Sequence, residues 1–153
     1  MSDPTGLVGV RDAAEAFLRR VFLEPSTLTR ADRVALLRPT DDDWAAVFGP
    51  KGEQARAVYA QMWASAPLPE PKPLQTELQV FTATPAMLTG ENPVSERFPG
   101  GYREVAQHFD RFSTWCAFRY HEPGELTGML YDGLVPRPGE RWAWFPKPWR
   151  ALR

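Results

Sequence analysis

The side chains with the most chemical potential share one predicted strand, Phe112 to His121. Strand alternation puts Phe112, Thr114, Cys116, Phe118 and Tyr120 on one face and Ser113, Trp115, Ala117, Arg119 and His121 on the other. The second face brings an aromatic wall, a fixed cation and a titrating imidazole to alternate positions, the makings of a small-molecule pocket. Trp115, Arg119 and His121 are therefore candidate ligand-binding residues, with Tyr120 as a hydrogen-bond donor beside them. The competing reading has Trp115 covering a core edge while Arg119 and His121 pair with acids on the next strand.

Other constellations carry less. His108 and Asp110 flank Phe109 and would suit a general base and its orienter, but residues two apart do not face each other on a helix. Asp41, Asp42 and Asp43 lack the alternating ligands, glycine and distal glutamate of a calcium loop, so a solvated helix start that compensates the dipole is expected. Phe98-Pro-Gly-Gly-Tyr102 leads into a helix without a basic residue in the loop, and a turn with positive φ would explain its glycines. The single cysteine, Cys116, excludes an internal disulfide and reads as an inert core thiol. Gly-x-Ser-x-Gly, Gly-x-x-x-x-Gly-Lys and His-Glu-x-x-His are all absent. No catalytic residue, metal ligand or cofactor is assigned.

The C-terminal stretch Arg141 to Arg153 gathers Trp142, Trp144 and Trp149 among four cations and no acid. Trp142 and Trp144 share a strand face, and a buried tryptophan removes ~150–250 Å² from water, so both are expected to seal the core. Pro146 and Pro148 forbid regular ladder bonds. The segment from Lys147 to Arg153 is accordingly expected to run extended over the surface, with Lys147, Trp149 and Arg150 as candidate partner-binding residues.

These residues need elements to hold them. Apolar residues at helical spacing between Val10 and Phe22 predict a first helix, closed by Pro25. Thr29 and Thr40 each stand three residues before an aspartate, and both are expected to cap helices. A longer helix follows from about Glu53 to Ala64. Residues 66–73 place proline at every second position, a stiff polyproline-type connector. Beyond it the period becomes 2. Strands are expected at Leu74 to Thr84, Phe112 to His121, Glu125 to Asp132 (continuing toward Leu134-Val135) and Arg141 to Phe145, with Pro123-Gly124 and Pro136 to Gly139 as turns.

The expected fold is α+β: N-terminal helices on a curved, mostly antiparallel sheet of about four strands, cone-like or open-faced. One domain is expected over residues 1–153, with a helical half (8–65), the connector (66–73) and a sheet half (74–153). The order of elements, though no motif, is similar to that of the cone-shaped ketosteroid isomerase and nuclear transport factor superfamily. Bulk composition agrees with a folded domain, at 43% hydrophobic and 24% charged residues. A net charge of -1 disfavours a dedicated nucleic-acid binder. No apolar run approaches the ~20 residues of a membrane span, and the opening Met1 to Gly6 lacks the pattern of a secretion signal, so a cytoplasmic location is expected.

The function that follows is a non-catalytic module that binds a small apolar ligand or a protein partner, a second copy of the chain included. Specific nucleic acid and membrane are not expected as partners. One alternative is a small cone-shaped enzyme doing acid–base chemistry on an apolar molecule, with His121, His108 or Asp110 as base and Tyr120 as donor. Another is a toxin-neutralising or regulatory partner protein.

Overall fold

In the computed structural model, which describes residues 6–153, local sequence signals set most of the helix boundaries. Helix α1 (Leu7–Leu18) buries Ala14, Phe17 and Leu18 and widens into a π-type turn, Arg19–Leu23. It stops at Glu24, held extended by the proline that follows. Helix α2 (Arg30–Leu37) begins in a reciprocal cap: the Asp32 N–H donates to Thr29 Oγ1 at 3.1 Å and the Thr29 N–H to Asp32 Oδ2 at 2.9 Å. Helix α3 (Asp41–Phe48) repeats the device, with the Thr40 N–H donating to Asp43 Oδ2 at 2.8 Å. Helix α4 (Gly52–Ser65) then packs against α3.

Asp43 corrects the expectation of a solvated acidic start. Its side chain is 1% exposed and receives Arg137 Nε and Arg141 Nη2, both on Oδ1 at 2.9 Å. Asp41 remains exposed and pairs with Arg56.

The connector after α4 is extended and is tied down through its carbonyls. Tyr120 donates its hydroxyl to Pro69 O at 2.8 Å and Tyr131 to Glu70 O at 3.2 Å. Strand β1 (Glu77–Ala83) starts later than the alternation suggested, because Leu74 lies exposed in a turn closed by the Gln75 N–H on Lys72 O. Between β1 and β2 lie two short helices, α5 (Pro85–Leu88) and α6 (Tyr102–Val105). Strand β2 (Trp115–His121) likewise begins after a turn, at Asp110–Ser113, that leaves Phe112 exposed.

The four strands form an open antiparallel meander, β1-β2-β3-β4. β3 (Leu130–Arg137) is one continuous strand, and residues 125–129, expected to be strand, precede it as irregular chain. Cys116 faces Leu134 and Phe118 faces Tyr131, so β3 carries one extra residue, a bulge at Asp132-Gly133. Gly133 adopts φ 89°, and a Cβ there would collide with the Phe145 carbonyl. Pro136 lies beyond the stretch of β3 that pairs with β2, so it faces a strand on one side only.

Strand β4 (Arg141–Trp144) supplies the core seal expected of it. Trp142 stacks on Phe17, Trp144 meets Trp63 edge to face, and Phe145 just beyond is fully buried among Trp44, Phe48, Tyr59 and Trp115. One hydrophobic cluster thus spans both halves of the chain.

The last residues do not run extended. Trp149–Leu152 form a short helix, α7, that buries Ala151 and Leu152. Pro148 is the reason: its φ of -62° suits the start of a helical turn, so the second proline opens an element instead of only breaking a strand. The two glycines at 100–101 are also corrected. Gly101 has φ -62°, and what it provides is space, since a Cβ there would run into the Trp149 indole. Gly101→Ala should therefore cost about 2 kcal/mol by overpacking, read as a lowered urea midpoint with altered tryptophan emission; an unchanged midpoint would show that α7 shifts without penalty.

Candidate functional site

The bulge in β3 builds the site. The extra residue lets the strand pass beneath the chain that follows β4, where the Phe145 N–H donates to Gly133 O at 2.7 Å. Asp132, 3% exposed, becomes the knot of three segments. Its carbonyl receives Trp144 Nε1 at 2.8 Å, and its Oδ1 receives both the Tyr102 hydroxyl at 2.7 Å and the Lys147 N–H at 2.8 Å. Oδ2 retains capacity for a further donor. Lys147 sits at φ 52° between Pro146 and Pro148, and Tyr59 of α4 donates to Pro146 O at 2.9 Å.

Above this knot lies a cavity of about 420 Å³, within the ~300–1,000 Å³ usual for small-molecule sites. Its walls are mostly apolar: Val58 and Met62 from α4, Met129 just before β3, Tyr131 at its start, and Trp144 from β4. Asp132 also lines it, as do Lys147 and Arg150, whose residues are exposed. Met129, 68% exposed, leaves an apolar flank of this cavity open to solvent.

Burial raises the Asp132 carboxyl above its ordinary range; the Tyr102 hydroxyl, the Lys147 N–H and the charges of Lys147 and Arg150 pull against that rise. The Tyr102 and Tyr59 hydroxyls are pushed well up, first by burial and then by the Asp132 charge. The site thus holds a shielded carboxyl, two phenols that stay protonated, and two exposed cations.

The residues singled out from sequence are distributed differently. Trp115 is fully buried, with Nε1 donating to Ser113 Oγ at 3.0 Å and its ring stacked on Phe109 with centroids 3.9 Å apart. Arg119 is half-buried and donates Nη1 to Leu126 O at 3.2 Å. His121 Nδ1 lies 3.1 Å from Glu122 O. Tyr120 is committed to the connector through Pro69, and burial pushes its hydroxyl up. Trp115, Arg119 and His121 do share a strand face, but Trp115 is sunk at one end while the other two occupy the opposite end, and none of the four lines the Asp132 cavity. His108 and Asp110 both border a separate open depression with Lys51 and Arg111. Cys116 is buried, which raises its thiol far above the usual range. Among the described residues no group of three or more His, Cys, Asp or Glu is placed to hold a metal ion.

From the C-terminal group, Lys147 and Arg150 stand at the cavity, whereas Trp149 packs edge to face on Tyr102, behind it. Asp132 went unnoticed in sequence. Its signal was there: an acid set between Leu130-Tyr131 and Leu134-Val135, which is costly when buried unless hydrogen-bonded, followed directly by glycine.

Fold and site together define an α+β protein with an open four-stranded antiparallel sheet and an apolar cavity backed by a carboxylate. The chain matches no protein-family model, no curated protein and no solved structure with which it was compared. Among the described residues no helix is long and apolar enough to cross a membrane.

Proposed function

We propose that the protein is a small-molecule-binding domain that receives a largely apolar ligand in the cavity between α4, the start of β3 and α7. The observation that carries this reading is the apolar cavity of about 420 Å³ set on a carboxylate that is 3% exposed. Folding a carboxyl into an apolar surround is unfavourable, and its retention beside an open hollow suits a group that orients what enters. Trp115, Arg119, His121 and Tyr120, expected to bind a ligand, do not line this cavity, and the proposal does not draw on them. Lys147 and Arg150 keep a binding role, now toward a small molecule.

A second reading, acid–base chemistry on the bound molecule, is favoured by one feature: burial makes the Asp132 carboxyl a weaker acid than usual, closer to the range a proton donor needs.

The cavity reading is tested with N-phenyl-1-naphthylamine, a neutral apolar probe that fluoresces when shielded from water. Its emission should rise saturably with the protein, and Val58→Trp, which fills the cavity from a position already 41% exposed, should weaken binding at least tenfold, or ~1.4 kcal/mol. No enhancement with the native chain, or equal binding by a folded Val58→Trp variant, would dismiss the proposal.

A further inference from the structure

We propose, resting on the cavity reading above, that the ligand is an amphipathic monoanion, a carboxylate whose apolar body fills the cavity and whose charged head is held by Lys147 and Arg150. The placement of the two cations is structural. The Arg150 N–H donates to Lys147 O at 3.0 Å, so a single turn sets both residues beside the cavity. The backbone at Lys147 is fixed by the flanking prolines and by its N–H bond to Asp132. Neither side chain forms an ion pair among the described residues, although Arg153, three residues on, is paired with Glu104. Two exposed cations held on one turn beside an apolar hollow match a carboxylate, which a guanidinium binds through two parallel hydrogen bonds.

Asp132 settles the polarity of the ligand. Ionised, it leaves one positive charge in excess at the cavity; protonated, it leaves two. An anion gains in both states. A cation would be drawn to Asp132 but would meet the like charges of Lys147 and Arg150, which line the same cavity. The ionised carboxyl also turns an anionic head away from the deep end and toward the two cations. Because Oδ1 is already committed to Tyr102 and the Lys147 N–H, a polar group on the ligand body that reached the Asp132 side chain would have Oδ2 to bond.

The test uses three compounds on one skeleton, 4-phenylbutyrate, 4-phenylbutanol and 4-phenylbutylamine, each displacing N-phenyl-1-naphthylamine at pH 7.5 and low salt. The acid should bind at least tenfold more tightly than the alcohol, and the amine weakest. Added salt to 0.5 M should weaken the acid and leave the alcohol nearly unchanged. In the double variant Lys147→Met/Arg150→Met the acid's advantage over the alcohol should disappear. If the alcohol or the amine binds as well as the acid, or if the double variant keeps the preference, the anion inference falls while the cavity reading stands. If none of the three displaces a probe that does bind, the inference falls too, and if the probe itself does not bind, both readings fall. The native series and its salt dependence decide the matter even if the double variant does not fold.

Discussion

A chain ending at Glu140 should not fold. The segment removed carries Trp142, Trp144 and Phe145, all buried, together with Ala151 and Leu152 of α7. Truncating one buried aromatic costs ~3–5 kcal/mol, and three of them approach or exceed the ~5–15 kcal/mol by which a domain is stable. The loss is not confined to one edge of the sheet. Phe145 touches Trp44, Phe48 and Tyr59 from the helical half and Trp115 from β2, so its removal opens the seam between the halves. Asp132 would also lose two of its partners, Trp144 Nε1 on its carbonyl and the Lys147 N–H on its side chain, leaving a buried carboxyl held by Tyr102 alone. Near-UV circular dichroism should collapse, and the cooperative thermal transition should vanish. A truncated chain with native spectra and a sharp melt would show that the seam is redundant.

Legibility from sequence followed the range of the interaction. The caps at Thr29 and Thr40 act over three residues and were readable as such. The antiparallel sheet and the burial of Trp142 and Trp144 follow from strand alternation and from the size of the indole. What sequence did not show depends on partners far along the chain. Asp43 reads as one of three solvated acids until Arg137 and Arg141 arrive from 94 and 98 residues away. Gly101 reads as a turn residue until Trp149 comes to rest on it. The site is the sharpest case. Alternation along Phe112 to His121 placed Trp115, Arg119 and His121 on a common face, yet a face is not a cavity, and packing from Phe48, Phe109 and Tyr102 closed the Trp115 end. The bulge that aims Asp132 is a difference in register between two strands, and register belongs to the pair rather than to either sequence.

Replacing Asp43 with alanine should cost about 3 kcal/mol, and the cost should depend on pH in a direction that identifies its cause. The carboxylate joins the start of α3 to both arms of the β3–β4 hairpin, where Arg137 and Arg141 stand opposite each other. Removing one partner of a buried ion pair costs ~3–5 kcal/mol, since the charge left behind stays poorly solvated. The lower end applies because the Arg141 side chain is 41% exposed and can recover water, whereas Arg137 at 16% cannot. For a chain of this length ~1 kcal/mol moves the melting temperature by ~2–4 °C, so a fall of roughly 6–12 °C is expected. Burial disfavours the Asp43 charge, but bonds from Arg141, the Thr40 N–H, Arg137 and the Thr40 hydroxyl outweigh it and hold the carboxyl at about 2, below its usual 3.8. A depressed carboxyl stabilises the fold fully above its unfolded value and loses that contribution as pH falls toward the folded one. The gap between native protein and Asp43→Ala should therefore be widest above pH 5 and should narrow between about pH 4 and pH 2. Asp132 works in the opposite sense, because its carboxyl is raised and protonation favours the fold. Acid titration of the native protein alone would mix the two, and the difference between native and variant isolates Asp43. Urea midpoints for both chains across pH 2 to 7 provide the measurement, and a gap that stays constant with pH would place the loss in packing rather than in the ion pair.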